Sequence, residues 1–247
     1  MNYVVCVDDT DMPGTKGTGW LVQEMCEHLA IAHNAACYPI SRHQLFVHEE
    51  VPYTSHNSAM CFEMELEEDI DPVIHWAASF LEKRAEKGAD PGLCVARQDD
   101  RLEDEQLIAF GKCAKGAILT KTEAYALARK TGIHLSEHGG TGDGIIGAVA
   151  GVGLRLAGSD GRYRGWFHVG KKDESIGVDK LCSYPFIDCV CTRSGRKLPP
   201  GDTIQIGSDK LKTIRMNYQQ VVMVTENKPS PNLPRYRTIT HQEAKSF

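Results

Sequence analysis

A chain of 247 residues with a formal net charge of −5 and a pI near 6.1 has room for one large core or two small ones. It lacks the globally basic surface that holds nucleic acid non-specifically, which leaves only a local basic groove for such a partner. Nine cysteines, an odd number spread along a chain with no secretory leader, predict reduced and mostly buried thiols in the cytoplasm rather than a disulfide scaffold. Cys189 and Cys191 form a lone Cys-x-Cys pair with no second pair to complete a zinc site. No stretch approaches the roughly 20 apolar residues of a membrane span.

In chain order, "NYVVCV" is β-branched and ends at a polar turn, which predicts a buried strand. "DDTDMPGTKGTG" follows as a loop, and "WLVQEMCEHLAIAHN" has helical spacing. "AACYPISRHQLFVH" reads as a second strand region. "SAMCFEMELE" places Met60, Phe62, Met64 and Leu66 on one face of a half-buried strand. Asp71 and Pro72 start a helix that ends near Gly88, and "PGLCVAR" returns as a strand. "DEQLIAFGKCAKGAILTKTEAYALARKTG" is helical with a break near Gly111 to Gly116. It leads to a glycine-rich loop and a small-residue helix, "HGGTGDGIIGAVAGVGLRL". Beyond residue 160 come short strands separated by turns such as "LPPGD", of the kind that join antiparallel neighbours. The last segment holds three prolines and few large apolar residues, which predicts an extended arm.

Asp8, Asp9 and Asp11 crowd three carboxylates into four positions at a strand end. Like charges so close repel unless a cation sits among them, and Mg²⁺ takes one or two carboxylates while leaving positions for water and phosphate. Asp is also a routine turn former and helix cap, so the cluster alone leaves both readings open. The second loop has glycines at 139, 140, 142, 144 and 147, where backbone N–H groups can approach a phosphate ahead of a helix N-terminus. Close helix packing is the alternative use of such glycines. The Gly-Lys-Ser/Thr ending of a Walker A loop is missing, and no strand is expected directly before a GxGxxG.

"VDDTDMPGTKGTGWL", "VPYTSHNSAMCFEMELE", "GADPGLCVAR" and "GDGIIGAVAGVGLRL" occur in the order and spacing of the N-terminal half of the agmatidine synthetases, which they resemble. Those enzymes modify the anticodon cytidine of a tRNA-isoleucine. The resemblance spans about residues 1–165. It implies an α/β (α+β) fold in which a kinase-type ATP-binding domain is interleaved with a ferredoxin-like domain. A small β-rich region over 166–228 and a tail over 229–247 lie outside it. The resemblance places Asp8, Asp9 and Asp11 at the metal and the triphosphate, with ATP and Mg²⁺ as cofactors and phosphoryl transfer as the chemistry. Thr10, Lys16, Gly139, Gly140, Thr141, Gly142 and Gly144 are the expected nucleotide contacts. Tyr53, His56, Asn57 and Ser58 are the expected substrate contacts, with His56 also a catalytic candidate.

This sequence departs from the family at the turn "PYTSHNSA". Thr54, Ser55 and His56 replace a Lys and Arg there, removing a phosphate-gripping pair. The family's agmatine, OB-fold and zinc-ribbon modules have no match after residue 165, so full agmatidine synthesis is not expected. Arg97 and Lys16 are candidates to neutralise phosphate. His138 suits either a phosphate contact or a structural role. Lys171, Lys172, Arg193, Arg196 and Lys197 suit nucleic acid or plain solvation. The expected function is an ATP- and Mg²⁺-dependent phosphoryl-transfer enzyme or ATPase acting on a small molecule or an RNA. A nucleotide-binding or RNA-binding module without turnover is the alternative.

Overall fold

The computed structural model describes residues 1–51, 57–98 and 103–247. The chain forms two units, Met1–Ala157 and Gly158–Phe247. In the first, β1 (Asn2–Asp8) lies between β4 (Ser58–Glu65) and β5 (Gly92–Arg97), antiparallel to both. β3 (Ser41–Gln44) and the short β2 (Ala36–Cys37) pair with β4, and β6 (His134–Glu137) pairs with β5.

Both faces of this sheet are covered, and the two-residue period of a strand sorts the side chains between them. Tyr3, Val5 and Val7 of β1 join Phe62, Met64, Leu93 and Val95 beneath α1 (Thr18–Ala32) and α2 (Ile70–Arg84). Val4 and Cys6 face the other way with Ala59, Cys61 and Cys94. They pack under α5 (Gly144–Leu156), flanked by α3 (Glu103–Cys113) and α4 (Lys121–Thr131). β4 is therefore not half-buried as its alternation suggested: Ala59 and Cys61, small enough to lie under a close helix, are fully buried on the second face. A Cβ at Gly151 of α5 would lie 2.4 Å from the Cys6 sulfur and 2.9 Å from the Cys61 sulfur, so the helix rests directly on those thiols. Burial pushes the Cys6 and Cys94 thiols well above their ordinary range, and all nine cysteines are free.

α5 is also tied down at its far end. The fully buried Arg155 donates to Glu63 Oε1 (3.0 Å), Ser41 Oγ (2.7 Å) and the Pro39 carbonyl (3.2 Å). Truncating one member of a buried charge network strands the others without partners. Arg155→Met is expected to lower unfolding free energy by about 3 kcal/mol in urea titrations. Adding Glu63→Gln should recover part of that loss. Two additive losses would show that the ion pair contributes nothing of its own.

The second unit holds short strands in the order β7 (Arg162–Tyr163), β11 (Thr213–Met216), β12 (Gln219–Glu226), β13 (Tyr236–Thr238), β10 (Thr203–Gln205) and β8 (Ser175–Gly177). β9 (Cys189–Thr192) pairs with β12, and this pair and β10–β13 are parallel, so the region is not the purely antiparallel one its turns suggested. α6 (Val178–Cys182) contributes Val178 and Leu181 to the unit's core. The expected extended arm instead contains β13 and α7 (His241–Ala244). Ile239 and Ala244 are buried beside Ile214 and Met223, and Thr240 and Glu243 form a capping box that Arg237 braces with two 2.8 Å hydrogen bonds. Those bonds hold the Glu243 carboxyl down at about 2.

Candidate active site

Strand register brings the two loops singled out above to one edge of the first unit's sheet. Asp8 is opposite Gly92, and Gly92 is opposite Glu137, so the ends of β1 and β6 and the start of β5 form a row. Asp9 to Asp11 leave from one end of that row, Asp90 enters at its middle, and residues 138–143 leave from the other. β6 corrects the expectation that no strand precedes the glycine-rich loop. It runs antiparallel to β5, so the setting is still not a Rossmann unit. α5 starts directly over the row: a Cβ on Gly144 would lie 2.0 Å from the Asp90 carbonyl oxygen, and one on Gly147 would lie 1.6 Å from Asp8 Oδ2.

Asp8 is buried and accepts the Asp9 N–H through Oδ1 (2.9 Å). Its carboxyl is pushed up to about 8, first by burial and then by the charges of Asp9 and Asp11. Asp9, at a positive φ of 53°, is raised to about 6 by burial and by Asp90, Asp11 and Asp143. Asp8, Asp9, Asp11, Asp90 and Asp143 thus share one neighbourhood. Asp11 does a second job. Its Oδ1 accepts the N–H (3.3 Å) and hydroxyl (3.0 Å) of Thr18 at the start of α1, so it also serves the helix N-terminus. Thr18 in turn accepts from the Thr10 N–H (3.3 Å) and hydroxyl (3.2 Å), which fixes the loop from inside.

The glycine-rich loop behaves differently from the expectation of free phosphate donors. Gly140 and Gly142 take positive φ of 54° and 77°, and the chain between them aims the Thr141 N–H and hydroxyl at Asp90. The N–H donates to Asp90 Oδ1 and the hydroxyl to Oδ2 (2.9 Å). A carboxylate therefore sits where these donors meet an anion. Lys121 of α4 braces the loop through the Thr141 carbonyl (2.6 Å) and Glu137 (2.8 Å). Gly139 lies against Pro91.

The Lys16 ammonium stands 5.0 Å from the centre of the Trp20 ring. Asn57 donates to the Phe46 carbonyl (2.6 Å), and Ser58 accepts from Arg42 (2.9 Å) across the β3–β4 pair. Tyr53 and His56 lie outside the described residues. His138 is nearly buried, with Nε2 2.7 Å from Ser136 Oγ and Nδ1 3.5 Å from a Glu82 oxygen. Asp90, Asp143, Thr18 and Lys121 join the neighbourhood without having been singled out. Only the Thr18 contact had a local cue, a hydroxyl one residue inside a helix start that an upstream Asp can reach.

Among the described residues no three His, Cys, Asp or Glu side chains converge tightly enough to cage a metal. Two neighbouring carboxylates, both raised first by burial and then by the charges of nearby aspartates, nonetheless fit the donor set of a Mg²⁺ that keeps water and phosphate in its remaining positions.

The architecture is a mixed α/β one shared with enzymes of tRNA, and no family model or curated protein sequence matches the chain. The solved structures similar to it include TiaS, the agmatidine synthetase of an isoleucine tRNA, in complex with that tRNA and ATP, and a tRNA fluorescent labeling enzyme. Each is 25% identical, with a TM-score of 0.54, over 62% of this chain and 36% of its own. TiaS with its tRNA, AMPCPP and agmatine is 24% identical, with a TM-score of 0.52, over the same shares. The family resemblance read from the motifs fits these structures, and the chain spans little more than a third of their length. Among the described residues no helix is long and apolar enough to cross a membrane.

Proposed function

We propose that the chain is an ATP- and Mg²⁺-dependent enzyme related to the agmatidine synthetases, transferring a phosphoryl group or hydrolysing ATP, with an RNA as the favoured acceptor. The observation that carries this reading is the meeting of Asp8 and Asp9 with the glycine-rich turn before α5 at one sheet edge. The similar structures that hold ATP or AMPCPP with tRNA support it.

Asp8 and Asp9 would hold Mg²⁺, which when bound supplies charge neutralisation to a triphosphate. Asp11 and Thr18 hold the first loop in register with α1, and Thr141 with Lys121 holds the second. Asp8 lies at the bottom of the site, buried from water, so the fixed negative charge it presents depends on a cation being present. The capture of the Thr141 donors by Asp90 favours a second reading, a nucleotide-binding module without turnover.

Calorimetry and phosphate-release assays with and without Mg²⁺, each with and without tRNA, test the proposal. ATP binding should appear only with Mg²⁺, and phosphate release should rise when tRNA is added. Binding with no release in any mixture selects the module, and binding indifferent to Mg²⁺ removes the metal from the site.

A further inference from the structure

The second unit contains a cleft of about 310 Å³ that the proposed activity does not use. Three backbone segments build its wall. Residues 192–197 form a tight return in which the Thr192 N–H donates to the Arg196 carbonyl (3.0 Å) and Cys191 bridges Lys197, which presents Arg196 and Lys197 together. The turn "PPGD" is closed by the Asp202 N–H donating to the Pro199 carbonyl (3.0 Å) and delivers Asp202 and Thr203. The third segment is the entry to β13. Gln205 is opposite Arg237 across the β10–β13 pair, so Arg235 comes level with Thr203 two residues earlier.

The charge pattern is unequal. Arg196, Lys197 and Arg235 line the cleft against a single carboxylate, Asp202. Tyr236 is buried beside two guanidinium groups, which stand 5.5 Å (Arg196) and 5.2 Å (Arg235) from its ring centre, and its hydroxyl accepts from Arg196 Nη2. The ring therefore sets the directions of two arginine forks that would otherwise wander. Arg235 is held at the rim by Glu226 Oε1, with contacts of 2.8 and 3.2 Å. Glu226 also feels Arg196, and its carboxyl is lowered chiefly by the hydrogen bond from Arg235.

Two oriented guanidiniums and an ammonium in one cleft match the oxygens of a phosphate, which Arg meets in a fork and Lys as a point charge. A lone carboxylate and a hydroxyl beside them match the hydroxyls of an attached sugar. We propose that this cleft binds the phosphate of a sugar phosphate ester, with Arg196 and Lys197 on the phosphate, Asp202 and Thr203 on the sugar, and Glu226 as the built-in competitor that the ligand displaces from Arg235. The cleft is lined by residues of the second unit alone, and the proposal stands whether or not the first unit turns ATP over.

Calorimetric titration of the full chain with inorganic phosphate, ribose 5-phosphate and a short single-stranded RNA tests it. In the wild type ribose 5-phosphate should bind more tightly than phosphate. Lys197→Gln and Arg196→Gln should each weaken binding by about tenfold or more, the usual loss of a charge-assisted hydrogen bond. Glu226→Gln should strengthen it, because Arg235 is released. Lys197 lies outside the Tyr236 stack, so its variant keeps the test valid if Arg196→Gln melts early. Tighter binding of RNA with a salt-dependent slope that Lys197→Gln lowers by about one would identify a nucleic acid backbone as the source of the ester. Ribose 5-phosphate bound as well as RNA would identify a small metabolite. No binding of any probe, or equal binding by wild type, Lys197→Gln and Glu226→Gln, overturns the proposal. Phosphate release from ATP, followed in parallel, should be the same in the Glu226→Gln protein. Its absence in every protein would remove ATP turnover from the first unit while leaving this proposal intact.

Discussion

Asp8→Asn is expected to raise the melting temperature of the ligand-free protein at pH 8 and to reduce Mg²⁺-dependent phosphate release by about 100-fold or more. The two effects have one cause. The Asp8 carboxyl titrates at about 8 in the folded chain, because it is buried and faces Asp9 and Asp11, against an ordinary value of 3.8. Between those values the folded protein holds a proton that the unfolded chain has released. This group's contribution to stability is therefore complete below pH 3.8, is lost at up to about 1.4 kcal/mol per pH unit as pH rises, and levels off above pH 8. Asparagine resembles the protonated acid and keeps an oxygen for the Asp9 N–H, so the variant loses that decline. At pH 8 the gain should be roughly 5 °C or more. At pH 4 the two proteins should melt together. Mg²⁺ with ATP should stabilise the wild type and not the variant. A variant that melts like wild type at every pH, or that keeps its turnover, would take Asp8 out of the site.

Two alanine substitutions on α5, three residues apart, are expected to fail in different ways. At Gly144 the new Cβ would meet the Asp90 carbonyl oxygen at 2.0 Å and the Gly92 nitrogen at 2.9 Å. Both are backbone atoms, one two residues before β5 and the other in its first, paired residue, so the helix start itself must move. Gly144→Ala should cost several kcal/mol, roughly 3 or more, in urea titrations. At Gly147 the Cβ would meet Asp8 Oδ2 at 1.6 Å and Cγ at 2.7 Å, atoms of a side chain rather than of the backbone. Gly147→Ala should therefore stay folded but displace the carboxylate and lose most phosphate release. If Gly147→Ala retained full activity, the contact between Asp8 and α5 would have no catalytic consequence. If Gly144→Ala were as stable as wild type, the crossing of α5 over β5 would be looser than described.

Part of this fold is readable from local chemistry alone. β1, α1 and α5 carry their own signals in a β-branched run, a helical period and a glycine-to-apolar transition. The burial of β4 is hidden because alternation reports only large apolar residues, and Ala59 and Cys61 look neutral in sequence although a helix lies on them. β6 has no sequence signal because "HLSE" is short, half polar and at an edge, where pairing with β5 rather than burial makes it a strand. The aspartate loop was conspicuous, yet Asp90 and Asp143 were not. Their closeness to Asp9 follows from the register of β1, β5 and β6, which no single segment encodes. The last residues look extended in composition, but Ile239 and Ala244 suffice to fix them once Ile214 and Met223 supply a surface.

The bed of thiols beneath Gly151 limits how this sequence can drift. A methyl at 151 leaves no room for both the Cys6 and Cys61 sulfurs, and a larger residue at 6 or 61 leaves no room for the helix. None of the three can enlarge alone, while shrinking one opens a gap that another can fill. Positions 6, 61 and 151 should therefore change hands together across descendants of this chain, trading a constant volume among a β1 residue, its β4 neighbour and the helix above them.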